Sequence, residues 1–300
     1  MELVKINGNT YYLPAGTNIG LFAFKDKYTL LIDSGNNNQQ ARKISEVVEA
    51  NNYNIKFIVN THNHIDHTGG NGFFKTHYPG TVLHASTDAK LMIENDRLFP
   101  MYLFGGNPVK DLAKYFVANK DYLIDITLAP GHFKINNEKF DIIPLPGHAS
   151  GQIGIATRDR VCFLGDALFS EKIISKYSLP FLFDIQAQLN SYQTITELDY
   201  DFFVLGHADQ IYNGQTIKKL VKINQDNLNN YLDMVIESLI QPKTKEELLE
   251  EIIILNDLAI DFKEYHFSLS TISAMITYLA ELNQLEHQIE NGKLYYYKKS

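Results

Sequence analysis

Three histidines and an aspartate crowd the segment THNHIDHTGG, where His62, His64, Asp66 and His67 follow directly on the apolar run Ile55 to Val59. Neutral imidazole is a common ligand for Zn, Fe and Ni, and a carboxylate adds the charge that a second cation needs. On an extended loop His62 and His64 face one way, while Asp66 and His67 turn towards a neighbouring position. That layout suits two ions rather than one. The bland alternative is a solvated His-rich loop, but ten histidines among 300 residues seldom fall into this spacing by chance. Three more candidates sit where apolar strands end: His148 in LPGHASGQIG, Asp166 in CFLGDALF and His207 in FFVLGHAD. Gly147 and Gly151 allow close backbone turns around His148. Each of the three alone reads as a cap or turn residue; with the first cluster they make a set of seven.

The order His-x-His-x-Asp-His, then Gly-His, Gly-Asp and Gly-His, resembles the metallo-β-lactamase superfamily across roughly residues 1 to 212. The resemblance implies a mixed α/β fold, a four-layer αβ/βα sandwich of two sheets with helices outside and two divalent metal ions at one edge. By matching position, His62, His64 and His148 would hold the first ion, and Asp66, His67 and His207 the second. Asp166 would bridge them, so that Asp66 and Asp166 are the carboxylates closest to the chemistry. Asp33, in LLIDSG, matches an aspartate that supports the site from behind; from the residues alone it reads equally well as a turn Asp before Gly35.

The chemistry follows from charge. Two cations about 3.5–4 Å apart share a water and make hydroxide available near neutral pH. They also accept the oxyanion that develops as an acyl group is attacked. Zn is the first expectation for the ions, with Fe and Mn open, since His and Asp suit all three. True metallo-β-lactamases do not use a bridging aspartate, so Asp166 argues against antibiotic cleavage. The flavodiiron branch resembles His-x-Glu-x-Asp-His and carries a flavin domain; here the second position is His64 and the tail is too short. The ligand pattern is most similar to the glyoxalase II, lactonase and ribonuclease branches. A small ester, thioester or lactone is the expected substrate, with a phosphodiester as the alternative.

The elements that must position these residues are strands broken by turns. Apolar runs at Asn18 to Phe24 and Tyr28 to Ile32, split by Lys25-Asp26-Lys27, predict a hairpin. A helix is expected from Gln39 to Glu49, with Ile44, Val47 and Val48 on one face. Short strands are expected at Ile55 to Val59, Tyr122 to Leu128, Phe140 to Leu145, Ile153 to Thr157, Val161 to Leu164 and Phe202 to Leu205. Strands mixed with helices point to an α/β layer architecture. The stretch from Leu91 to Tyr122 has no clean period and is expected to be an inserted loop and helix near the pocket, a candidate lid. After Asp166, KIISKYSLPFLFDI offers Lys176, Tyr177, Phe181 and Phe183 near the pocket mouth. Tyr177 there could polarise a carbonyl or donate a proton, although an aromatic run of this kind is more often core. His84 and His132 read as structural or surface residues, and His77, His266 and His287 have no partners that suggest chemistry.

Beyond Tyr212 helical spacing takes over. Ile217, Leu220, Val221, Leu228, Tyr231, Leu232, Val235, Ile236 and Leu239 mark a linking helix across residues 213–241. Pro242 breaks it, and Thr244 with Glu247 forms a capping box for a helix to about Leu255. A further helix carries Leu269, Ile272, Met275, Ile276, Leu279 and Leu282. Asn291-Gly292 between two short strands is a hairpin signal. Residues 242–300 therefore predict a small winged-helix-like domain, similar to the tail of the β-lactamase-like protein 2 group. Its charge speaks against nucleic acid: from Gln241 onward there are six Lys, no Arg and ten Asp plus Glu, and Ser268 to Asn283 has no basic residue. A phosphate-reading module needs several Lys or Arg. The expected role is a packing element that covers the pocket or makes a homodimer; a non-enzymatic winged-helix regulator is the third alternative, disfavoured because structural metal sites are closed and leave no room for water.

Composition bounds the rest. A hydrophobic fraction of 45% and a charged fraction of 21% belong to an ordinary globular chain, and a net charge of -8 gives no basic footprint for nucleic acid or anionic membrane. One cysteine, Cys162, excludes an internal disulfide, and its apolar surroundings in VCFL read as buried and inert. The N-terminus has no signal-peptide pattern and no apolar run reaches the ~20 residues that span a bilayer, so the cytoplasm is expected.

Overall fold

The computed structural model describes residues 1–117 and 122–299. Its first sheet has seven strands in sequence order: β1 (Val4–Asn7), β2 (Thr10–Leu13), β3 (Ile19–Ala23), β4 (Tyr28–Ile32), β5 (Asn54–Val59), β6 (Val82–Ser86) and β7 (Ile126–Leu128). The expected hairpin is β3–β4, antiparallel with Gly20 opposite Ile32; from β4 to β7 the pairs are parallel. The second sheet runs in the order β12-β11-β10-β9-β8, from β8 (Gly131–Ile135), β9 (Glu138–Pro144), β10 (Ile153–Thr157), β11 (Val161–Gly165) and β12 (Phe202–Leu205).

The two sheets face one another across a core of Phe22, Leu30, Ile32 and Val59 from the first and Phe140, Ile155, Phe163 and Val204 from the second. Helices α1 (Asn38–Ala50), α2 (Ile65–Thr68), α3 (Asn71–His77) and α4 (Thr87–Glu94) lie along the first half of the chain. Ile44 and Val48 of α1, Phe74 of α3 and Ile93 of α4 pack with Leu31 and Ile58 on the outer side of the first sheet. The stretch from Leu91 holds the end of α4, then α5 (Leu98–Phe104) and α6 (Lys110–Ala113), so it is more helical than expected; residues 118–121 lie outside the described residues. The strand expected from Tyr122 is shorter and begins at Ile126.

Over the second sheet come α7 (Glu171–Lys176), α8 (Ile185–Glu197) and the 25-residue α9 (Gly214–Ser238), followed by α10 (Lys245–Leu255), α11 (Phe262–Glu281) and the hairpin of β13 (Leu285–Glu290) and β14 (Lys293–Lys298). The Thr244–Glu247 capping box is present at α10. Leu248, Leu249 and Ile252 of α10 and Ile272, Met275 and Leu279 of α11 share one apolar cluster with Val235 of α9 and Phe203 and Leu205 of β12. The C-terminal helices thus bury their stripes on the body of the chain. No helix among the described residues is long and apolar enough to cross a membrane.

Candidate metal centre

Every residue of the predicted seven sits where a strand delivers it to one edge of the sandwich. His62 follows β5 by three residues, Asp166 directly follows β11, His207 comes two residues after β12, and His148 lies in the turn between β9 and β10. The Thr61 carbonyl accepts the Ile153 N–H at 2.9 Å, and the Gly165 carbonyl accepts the Gly206 N–H at 2.7 Å, which ties these ends together. One local expectation needs correcting. The first motif is not extended throughout, because His64 caps a single helical turn, α2, that carries Asp66 and His67. The turn brings donor atoms of those two side chains together with Asp166 and His207 rather than with His64 and His148, although the His67 ring stays 4.1 Å from that of His62.

The side chains form two groups. One donor atom each from His62, His64 and His148 lie within 4.8 Å of one another, and so do donors from Asp66, His67, Asp166 and His207. Between the groups stands Asp166: its Oδ2 is 3.3 Å from His207 Nε2 and 3.6 Å from His148 Nε2, and its Oδ1 is 3.4 Å from His67 Nε2. Asp66 Oδ2 is 3.0 Å from His207 Nε2 and 3.4 Å from His67 Nε2.

The donor set fits two divalent ions. His62 Nε2 and Asp166 Oδ1 are buried and have no hydrogen-bond partner, a costly state unless a cation accepts their lone pairs. His64 Nδ1 and His148 Nε2 point at each other across 2.9 Å. Burial, reinforced by the neighbouring rings, pushes the His62 imidazole well below its usual range and His64 down to about 3; burial also lowers His148. Neutral rings with converging lone pairs are what a metal takes. The second group is charged differently. The Asp166 carboxylate, against the opposing effect of burial, lifts His207 to about 11. Burial works against a charged His67, but Asp66, Asp166 and Asp33 together hold it well above the imidazole range. Burial alone would raise both carboxyls, yet the facing His67 and His207 keep Asp66 and Asp166 well below the carboxylate range.

Behind the candidate ligands hydrogen bonds fix the rings of His62, His67, His148 and His207. Asp33, 2% exposed and at φ +67°, accepts the His67 Nδ1–H at 2.7 Å, the Thr61 N–H at 2.8 Å and the Thr61 hydroxyl at 2.9 Å. Because the Thr61 proton goes to Asp33, its oxygen is free to accept from His62 Nδ1 at 3.0 Å. Asp33 therefore orients one ring of each group. His148 Nδ1–H donates to the Phe181 carbonyl at 2.9 Å, and His207 Nδ1–H to the Gly16 carbonyl at 2.6 Å. Such outer contacts set the tautomer and leave Nε2 for a metal.

Several of these supports were not singled out from the sequence. Thr17 donates its hydroxyl to Asp66 Oδ2 at 3.1 Å, and Asn18 donates to the Leu205 and Ala208 carbonyls at 3.0 and 2.8 Å, clasping the His207 loop. Thr271 on α11 accepts the Leu182 N–H at 3.1 Å, next to the residue that holds His148. Gly206 has a steric reason: a Cβ there would lie 2.1 Å from Asp166 Oδ1 and 2.9 Å from His67 Cε1. Gly147 has another, since at φ +139° a Cβ would meet the α8 backbone at Gln188 Cα, 2.4 Å away.

A cavity of about 550 Å³ opens over the centre, with His64, Asp66, His148 and His207 at its floor. Phe99, Phe116, Phe169, Phe181 and Phe267 line it, and Tyr177, 41% exposed, stands with Asn36 and Lys263 among its polar groups. Phe183 is exposed and packs its ring on Tyr102 instead, and Lys176 lies over the Tyr177 ring at 4.8 Å, outside the lining. The remaining histidines stay apart: His84 is buried and bonded through Nδ1 to the Ile58 carbonyl, His132 pairs with Asp141 at the surface, and His77 stacks on Phe73. His266 is buried between Phe104 and Phe262, and His287 sits near Tyr296 on the terminal hairpin. Cys162 is fully buried, which pushes its thiol up and removes it as a nucleophile.

Known proteins resemble the chain in sequence and in fold. Hydroxyacylglutathione hydrolase GloC from Haemophilus influenzae is 27% identical over 208 residues, covering 66% of this chain and 88% of that one. Hydroxyacylglutathione hydrolase 1 from Vibrio vulnificus is 27% identical over 147 residues; the match covers 49% of this chain and spans about half, 46%, of that relative. The fold of a metallo-beta-lactamase family protein from Thermus thermophilus superposes with a TM-score of 0.73 at 18% identity, over 97% of this chain and 99% of that one. Residues 13–207, which hold all seven clustered side chains, match the model of the metallo-beta-lactamase superfamily, and the chain belongs to that family.

Proposed function

We propose that the chain is a dinuclear metal-dependent hydrolase that cleaves a small thioester, ester or lactone. The observation that carries this is the position of Asp166, within 3.6 Å of ring nitrogens from both ligand groups, four members of which, His64, Asp66, His148 and His207, line an open and largely aromatic cavity. His62, His64 and His148 would hold one ion, Asp66, His67 and His207 the other, and Asp166 both. Two divalent ions held there supply Lewis acidity for a carbonyl and lower the pKa of a bound water towards neutrality. Five imidazoles favour zinc, with iron and manganese as the alternatives to be separated by metal analysis.

The chain's own part is to hold and orient. Asp33 and the Thr61 hydroxyl keep the His62 and His67 rings in register, and Thr17 restrains Asp66. Tyr177 at the rim is placed to donate a proton to a substrate oxygen that enters the cavity. The thioester class is supported by the hydroxyacylglutathione hydrolases among the relatives. A phosphodiester fits less well: the cation lining the cavity is Lys263, already paired with Glu264 at 3.1 Å. Residues 242–300 we read as a winged-helix-like module of α10, α11 and the terminal hairpin, in which a bridge between Lys243 and Tyr296 ties the segment ahead of α10 to β14. Since α11 turns its apolar stripe to the body, this module serves the pocket rather than a nucleic acid. A reducing cytoplasm suits a chain whose one thiol is buried.

Elemental analysis before and after chelation, with thioester, lactone, p-nitrophenyl ester and bis-p-nitrophenyl phosphate turnover alongside, tests the proposal. About two ions per chain and chelator-sensitive thioester or ester cleavage are expected. A chain that binds no metal and turns over nothing after Zn, Fe or Mn is restored would sink it.

A further inference from the structure

Three of the apolar clusters build the sandwich and its helical covers, and a fourth does neither. The fourth gathers Phe99 and Leu103 of α5, Leu112 of α6 and nearby Phe116, with Phe181 from the α7–α8 loop and Phe267 from α11 packed on it. Ring centroids lie 5.0 Å apart for Phe99–Phe116, 5.7 Å for Phe116–Phe267 and 5.1 Å for Phe181–Phe267, so segments distant in sequence close on one another. Phe181 and Phe267 are only half-buried, and both line the cavity. The wall stands on the His64 and His148 side: Phe99 is 4.7 Å and Phe181 5.7 Å from the His64 ring, and Phe181 is 5.7 Å from that of His148. Phe169, Leu179 and Pro180 add to the apolar lining, with Phe169 pinned by paired hydrogen bonds to Asn224 of α9. The charged floor groups Asp66 and His207 belong to the other ion's side.

Apolar rings facing a water-filled cavity gain when an apolar group displaces that water. A cavity of this size lies within the range of small-molecule sites, about 300–1,000 Å³, whose walls are apolar and whose few polar groups set orientation. We infer that the phenylalanine wall is the acyl subsite of the enzyme. Resting on the hydrolase proposal, it assigns the substrate class as thioesters or esters of medium alkyl or aryl acids. The acyl chain lies against Phe181 and Phe267, and the polar leaving group points to the rim at Tyr177 and Lys263. The C-terminal segment then selects substrate, because Phe267 comes from α11.

The test is calorimetric titration of the metal-loaded, full-length protein with S-alkyl-N-acetylcysteamines, thioethers that bind without being hydrolysed, from methyl to octyl. Each methylene that enters the wall tightens binding by about fourfold until the wall is filled. F267A and F181A are each expected to reduce the octyl-over-methyl preference by about tenfold; they lie in separate segments, so a folding failure in one leaves the other. Wild-type affinity that is the same for every chain length overturns the proposal, as does full length dependence in the folded variants. Thioether binding is independent of turnover. A chain that prefers octyl and loses the preference in the variants, yet cleaves no thioester, ester or lactone, keeps the subsite and removes the hydrolase proposal.

Discussion

The Thr271 hydroxyl on α11 accepts the Leu182 backbone N–H at 3.1 Å, one residue from the Phe181 carbonyl that holds His148 Nδ1 at 2.9 Å. Through this pair a helix of the C-terminal segment braces the ring of His148, a proposed metal ligand more than a hundred residues earlier. Thr271→Val keeps the shape and leaves the buried Leu182 N–H without an acceptor. A stability loss of about 1–3 kcal/mol is expected by denaturant titration. Because an outer-shell contact is loosened, affinity for the ion at His148 should fall by about tenfold in chelator competition. Stability lost with metal affinity intact would show that the loop holds His148 unaided.

Asp33 accepts three hydrogen bonds and reaches both ligand groups, through His67 directly and through Thr61 to His62. Asn tolerates its φ of +67°, so Asp33→Asn isolates the loss of charge and of acceptor capacity. Metal content or turnover is expected to drop by about 10–100-fold, with the fold retained by circular dichroism. A variant as active as wild type would reduce Asp33 to a turn residue.

Gly206 has Asp166 against its α-carbon, and an added methyl would stand 2.1 Å from the carboxylate. Gly206→Ala must displace Asp166, His67 or its own strand end. The expected result is a fall from about two bound ions to about one, lost from the Asp66, His67 and His207 side, because the atoms the methyl meets, Asp166 Oδ1 and His67 Cε1, belong to that group. Two ions retained at wild-type affinity would mean that the strand end yields freely.

How much of this was legible follows from where each residue's partners lie. His62, Asp166 and His207 closely follow apolar strands, His148 lies in the turn between two, and His64, Asp66 and His67 come on the short turn of helix just after β5, so local sequence marks them. Their supports are not local: Gly16 and His207 are 191 positions apart, and nothing in the spacing of Gly16, Thr17 and Asn18 shows which loop they clasp. β8 was missed because GHFKI is half polar, and its hairpin turns on Asn136 and Asn137, both at positive φ, rather than on a glycine. The α8 helix was missed because Gln188 and Ser191 occupy buried positions on its inner face, where Gln188 donates to the Ala167 carbonyl and Ser191 to the Pro146 carbonyl. For α11 the apolar stripe announced a helix, but periodicity does not reveal that Phe267, beside the stripe, lines the cavity over the candidate metal centre.

The two ligand groups hold protons differently, and that difference fixes the pH dependence of metal uptake. Without ions, His207 sits at about 11 and His67 well above the imidazole range, so both are charged at pH 6.5, while His62, His64 and His148 are held down and stay neutral. His67 and His207 keep Nδ1–H for Asp33 and the Gly16 carbonyl, so a metal must displace the proton on Nε2 of each. Loading the Asp66, His67 and His207 side should release about two protons at pH 6.5, and loading the other side about none. Apparent affinity for the first of these sides therefore climbs with pH towards 11, whereas the His62, His64 and His148 side is flat above the ordinary imidazole range. Calorimetric titration with zinc in buffers of different ionisation enthalpy reads the count directly. Equal proton release in both binding phases would overturn the assignment of charge to one side of Asp166.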